Sequence, residues 1–291
     1  MDLDEIQPLL FGLVKDGDVD SVQNLLASSG GASLGSEILT AARIIAVQQG
    51  SLPIARLLTL KDEKYIPANL VIVAVEGQDA DIVKWVLSKS DPDDIAKFLK
   101  TILDTRSDQV YSLWEEHLVT IPQYPRGKGM FDKGDRLDIV LKQPVFSEVK
   151  DNPMKEARLK HTWRFLSKYL MGDSFSAALT RIAKSTCSIP LAKELIELGA
   201  NLDYPIEFNE SSGMTALRLA SKKTSKEAAL FMQFLLSQGA DIYEKRNGDY
   251  INIGDERGAK EISKWLGVTW DELTKSNMEH RRNRNLKKYG R

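Results

Sequence analysis

The stretch that most restricts what this chain can fold into is Gly213-Met214-Thr215-Ala216-Leu217-Arg218-Leu219-Ala220, followed by Phe234-Leu235-Leu236-Ser237-Gln238-Gly239-Ala240-Asp241-Ile242. An earlier segment closes in the same way, as Leu195-Ile196-Glu197-Leu198-Gly199-Ala200-Asn201. In both, an apolar helical doublet runs into a Gly-Ala step, which suits a helix ended by a left-handed residue that turns the chain. The N-terminal region has its own period. Leu9 to Leu26 reads as two apolar helices joined at Asp16-Gly17-Asp18, and the next such turn, Gln49-Gly50-Ser51, follows 33 residues after Gly17. Ala46-Val47 precedes that turn, and Ile54, Leu57 and Leu58 follow it at helical spacing. Small residues belong there because paired helices cross closely.

Together these segments resemble the ankyrin repeat, a unit of about 33 residues in which Gly-x-Thr-Pro-Leu-His-x-Ala precedes Leu-Leu-x-x-Gly-Ala-Asp. The resemblance implies an all-α fold, an ankyrin-repeat solenoid of stacked helix-turn-helix units with short hairpin loops. Two residues depart from the pattern. Ala216 replaces the family's proline, which removes a preset helix start, and Arg218 replaces its histidine. That second change is expected to remove the side-chain bond that ties neighbouring hairpins in the family. Cys187 falls where the glycine of the mid-repeat turn would be.

Outer-helix doublets carry the series along the chain: Leu25-Leu26, Leu57-Leu58, Val86-Leu87, Leu113-Trp114, Phe165-Leu166, Leu195-Ile196, Leu235-Leu236 and Trp265-Leu266. The fourth unit is degenerate, with Phe98, Leu99, Ile102 and Leu103 as its inner helix and no glycine turn. Residues 120–136 then break the rhythm with two prolines, three glycines and no helical period, the signature of a long loop. Four segments result: ankyrin-like repeats over 1–118, a loop insertion over 119–136, an expanded repeat and C-terminal repeats over 137–267, and a capping helix with a basic tail over 268–291. Thr269 and Glu272 stand at capping-box spacing, and Trp270 and Leu273 are expected to cover the end of the stack.

Charge and cysteine usage narrow the functional classes. The net charge is −1, but His280–Arg291 holds six Lys/Arg and no acid, which leaves about −7 for the remainder. The tail is thus a contact surface for nucleic acid or an acidic protein, or a nuclear-import signal, and its plainer reading is a solvated terminus. A single cysteine leaves no intramolecular disulfide and no Cys-rich metal site. The acidic N-terminus is unlike a signal peptide, and no apolar run has membrane-spanning length. These features predict a cytoplasmic or nuclear protein without membrane contact.

Catalytic sets are incomplete. His117, His161 and His280 lie in different repeats, none with a partner at metal-ligand spacing, and no Walker lysine motif is present. No catalytic, cofactor or metal residue is therefore assigned. What the resemblance implies is protein recognition, through the exposed ends of the inner helices and the hairpin tips. The matching positions here are Lys15, Asp16, Gln48, Gln49, Glu76, Lys222 and Lys223 on the helices, and Met214, Arg246 and Asn247 on the hairpins. The alternative is an enzyme or small-ligand protein with a site around the 120–136 loop and the expanded repeat after it. In that loop glycines at 127 and 129 would let amides approach a phosphate beside Tyr124, Arg126 and Lys128. No helix start follows to complete such a motif, and a solvated insertion is the plainer reading.

Overall fold

Turn chemistry divides the chain into pairs of short helices. The computed structural model describes residues 3–28, 30–59, 65–91, 98–120, 140–141, 145–149, 151–170, 172–208, 211–246, 249–275 and 277. The chain forms two compact units, Met1–Val140 and Leu141–Arg291. The described residues are mostly helical.

The first unit contains α1 (Leu3–Asp16), α2 (Val19–Ala27), α3 (Ser36–Gln48), α4 (Leu52–Leu57), α5 (Asn69–Gly77), α6 (Ala80–Lys89), α7 (Leu99–Asp104) and α8 (Asp108–Thr120). Each odd-numbered helix packs on the even-numbered one that follows, and the odd helices pack on one another in order. This makes a layer of first helices backed by second helices. The turn inside each pair is built locally. Gly17 and Gly50 adopt φ of 73° and 75°, and in each turn two backbone N–H groups return to the last helical carbonyls. Gln78 takes the same left-handed role in the third pair, one residue after Gly77. Asp18 and Asp79 then start α2 and α6 by accepting N–H bonds from Ser21 and from Asp81 and Ile82. The degenerate fourth unit folds like its siblings: Leu99, Ile102 and Leu103 bury on α7 against Val110 and Trp114 of α8.

The second unit contains α9 (Phe146–Val149), α10 (Pro153–Leu166), α11 (Gly172–Lys184), α12 (Ile189–Glu197), α13 (Ala216–Ser221), α14 (Lys226–Ser237), α15 (Arg257–Lys260) and α16 (Ile262–Leu266). Here too consecutive helices pair, and α11, α13 and α15 pack in sequence as first helices. Cys187, at φ 52°, occupies the left-handed position of the α11–α12 turn, as the sequence register places it. Gly199 and Gly239 close α12 and α14 with φ of 96° and 84°, and Ala200 and Ala240 each donate back to a carbonyl five residues earlier, Leu195 and Leu235.

The connections between pairs are more than short loops. β1 (Ile206–Phe208) pairs antiparallel with β2 (Ser211–Met214), and β3 (Tyr243–Arg246) with β4 (Asp249–Asn252), in register Tyr243↔Asn252 to Arg246↔Asp249. Asn247-Gly248 joins β3 to β4, although these two residues lie outside the described set. The second ribbon crosses from α14 to α15.

The C-terminal end is closed by side chains. Thr269 and Glu272 form a reciprocal capping box, with Thr269 N–H donating to the carboxylate at 2.6 Å and Glu272 N–H to the hydroxyl at 3.3 Å. Those bonds hold the Glu272 carboxyl below its usual value. Trp270 lies against Gly254, and buried Asn277 donates to the carbonyls of Leu236 and Ala240 at the end of α14. Sequence pattern pointed to Trp270 and Leu273 here; the amide of Asn277 was not foreseen.

Two expectations follow. Gly258 on α15 sits so close to the α13 turn that a Cβ would overlap the Lys223 carbonyl oxygen and come within 2.5 Å of that of Ser221. Gly258→Ala is expected to cost about 2 kcal/mol in denaturant unfolding, the usual price of overpacking. His117, half-buried on α8, has its pKa lowered by desolvation. The unfolded chain then binds a proton that the folded chain resists. The His117 contribution is present above the unfolded value near 6.5 and is lost as pH falls below it. Between pH about 7.5 and 5.5 the parent should therefore lose more thermal stability than His117→Gln.

Candidate interaction surface

Most of the contact residues expected from the sequence lie where first helices end. In the first unit Lys15 and Asp16 finish α1, Gln48 and Gln49 finish α3, and Glu76 lies near the end of α5, all exposed. Because α1, α3 and α5 pack side by side, these residues fall along one row. The row continues at the end of α7, where Asp104 on the helix and Arg106 just beyond it are exposed. Between α5 and α7 lies a cleft of about 550 Å³ with Ile72 and Val75 among its walls and Glu76, Gln78, Lys100 and Asp104 around it. The α7 contribution was missed in sequence because that unit has no glycine turn to mark its register.

The second unit supplies Lys222, exposed at the C-cap of α13, and half-buried Lys223. Lys223 crosses to the neighbouring turn, where Nζ donates to the Ser185 carbonyl at 3.0 Å and lies 3.6 Å from Cys187 Sγ. On the hairpins, Met214 ends β2 and Arg246 ends β3, and these two strands pack on each other. Asn247 lies outside the described residues, as do Tyr124, Arg126 and Lys128. Tyr250 on β4 is 72% exposed, and the ladder places it on the same ribbon face as Tyr243, at 48%.

Behind this surface is a charged network that sequence reading did not anticipate. Arg218 is 6% exposed and Glu244, on β3, 3% exposed. Arg218 Nη1 donates to Glu244 Oε1 at 2.5 Å, and Nε to Glu256 Oε1 at 3.0 Å. The other oxygen of Glu244 accepts from the N–H and hydroxyl of Thr215, which caps α13. Burial opposes the guanidinium charge, but the hydrogen bonds and charges of Glu244 and Glu256 outweigh it, and its pKa is raised. The expected loss of a hairpin tie at this position is therefore corrected. Arginine is longer than histidine, and it ties α13 to the following hairpin by a charged route.

The three histidines are not brought together among the described residues, His280 lying outside them. His161 is exposed on α10. Among the described residues no three His, Cys, Asp or Glu side chains are grouped to hold a metal ion, and no helix is long and apolar enough to cross a membrane. One string, Gly31-Ala32-Ser33-Leu34-Gly35, matches the Gly-x-Ser-x-Gly of hydrolases. That pattern works as a sharp turn from strand to helix. Here it is a short 3₁₀ turn between α2 and α3, so the nucleophile geometry is not built. On α10 a cleft of about 510 Å³ is lined by Asp151, Glu156, Lys160 and Arg164, and the last three of these charges are paired within the protein. Lys160 pairs with Glu156, and Arg164 with buried Glu194 through two bonds.

No protein-family model matches the chain, and no curated protein matches it.

The Arg218 network makes a sharp expectation. Arg218→Met leaves Glu244 buried without its counter-charge and should cost about 3–5 kcal/mol. The double variant Arg218→Met/Glu244→Met should recover much of that loss in urea unfolding, because it removes both charges.

Proposed function

We propose that this chain is a non-catalytic ankyrin-repeat binding or scaffold protein that recognises another protein through the ends of its first helices and its hairpins. The observation that carries the reading is the row of exposed polar side chains at the ends of α1, α3 and α5, set on a regular apolar packing. Such ends are free of core duties, so their chemistry is available for contact. The left-handed turns at Gly17, Gly50 and Cys187 and the Gly-Ala closures at 199 and 239 support the repeat assignment. The exposed tyrosines of the β3–β4 ribbon add the residue type that anchors interfaces.

A partner captured from the source cell by the full chain supplies the test. Charge-changing variants at Gln48 and Gln49 (to Lys) and at Lys222 and Lys223 (to Glu) are expected to weaken capture at least about tenfold, as rim and contact charges do when reversed. Retention of the partner at parental affinity by folded variants would exclude these helix ends as the binding face.

A further inference from the structure

The first helices of the second unit end in a pattern that protein recognition alone does not explain. Lys184 closes α11, Lys222 and Lys223 follow α13, and Lys260 closes α15. Lys184, Lys222 and Lys260 are exposed. The simplest account of a lysine at a helix C-terminus is attraction to the negative end of the helix dipole. The first unit weighs against that account, since of the corresponding ends there only α1 carries a lysine, Lys15 beside Asp16, and the others carry Gln48 with Gln49, Glu76 and Asp104. The same backbone geometry tolerates acids and amides, so the three successive lysine-bearing ends reflect something outside the helix.

Beside this row lies a cleft of about 460 Å³ formed by the α11–α12 and α13–α14 turns. Ser185, Thr186, Thr224 and Ser225 line it together with Lys223 and Glu227.

We infer that this lysine row is a docking surface for an extended acidic peptide, with an uncharged polar residue of the peptide over the hydroxyl-lined cleft. The inference rests on the reading given above and specifies its partner. Packed helices lie about 8–10 Å apart, and a polyproline II chain rises about 3.1 Å per residue with about three residues per turn. A peptide crossing α11, α13 and α15 in that conformation thus brings about every third side chain, all on one face, to a lysine-bearing end. The chemistry favours a peptide over a nucleic acid. Glu227 in the cleft would repel a backbone charged at every nucleotide. A peptide has discrete carboxylates and can place an uncharged residue there.

The experiment measures fluorescence anisotropy of the full chain with three labelled probes in about 50 mM salt, where surface charge is weakly screened. The probes are the dodecapeptide (Glu-Gly-Ser)4, its glutamine counterpart and a twelve-nucleotide oligothymidylate. The glutamate peptide should bind about tenfold tighter than the glutamine peptide, as several solvent-screened ion pairs together allow. Lys184→Gln/Lys222→Gln/Lys260→Gln should abolish that preference, the same three positions changed to Arg should keep it, and Lys15→Gln should not alter it. Equal binding of the two peptides to the parent chain would overturn the inference, whatever the folding of the variants. So would parental affinity in the triple glutamine variant, or tighter binding of the oligonucleotide. A cellular partner lost on the helix-end variants, without a glutamate preference, would sink the acidic-peptide inference and leave the broader binding function standing.

Discussion

Helices of four to fourteen residues do not persist alone in water, because nucleation is costly and each added hydrogen bond returns little. Every helix here falls in that range, so each depends on burying its apolar face against the helix it pairs with and the next pair along. Leu10, Val14, Ala42 and Ala46 are buried on α1 and α3, and Leu70 and Ala74 continue the seam on α5. In the second unit Leu179, Ala183, Leu217 and Ala220 fill the same role on α11 and α13. Because small residues recur at the crossings, the backbones approach closely and the turns are held to one geometry. That is why left-handed positions at 17, 50 and 187 appear at equivalent places although only two of them are glycine.

Apolar packing alone does not align a hairpin with its neighbour, and polar ties do this work. Asp203 accepts from the Asp241 N–H at 2.6 Å, Ser176 from the Asn201 N–H at 2.7 Å, and Glu244 from Thr215. The largest tie is the Arg218–Glu244–Glu256 network. A buried carboxylate would be expensive if bare, yet Glu244 has an arginine and two donors of Thr215 at its oxygens. A charged tie makes this junction less tolerant of single changes than a neutral one would be.

The same arrangement frees the ends of the first helices from the core. Residues there contribute little to folding, which is why acids and amides predominate there in one unit, beside Lys15, and lysines in the other. Surface composition can then drift toward a partner's chemistry without loss of the scaffold. The β3–β4 ribbon extends this principle, since Glu244 points its carboxylate inward while Tyr243 and Tyr250 stay exposed.

By itself the sequence determined the pairing of helices, their order and the position of most turns, because helical period, Gly-Ala steps and capping residues are local signals read from a few neighbouring residues. It also identified the helix ends that carry exposed polar side chains. Tertiary structure decided what depends on residues far apart in the chain. Arg218 meets Glu244 and Glu256, Lys223 meets Ser185, Gly258 meets the α13 turn, and Asn277 meets the end of α14. A departure such as Arg218 for histidine reads from sequence as a loss, because the carboxylate that completes it lies 26 residues away on the next hairpin, where no local pattern says that it turns inward. The lysine row is a surface only because packing sets α11, α13 and α15 side by side. Distance in the chain hides such groups, and burial in the fold brings them together.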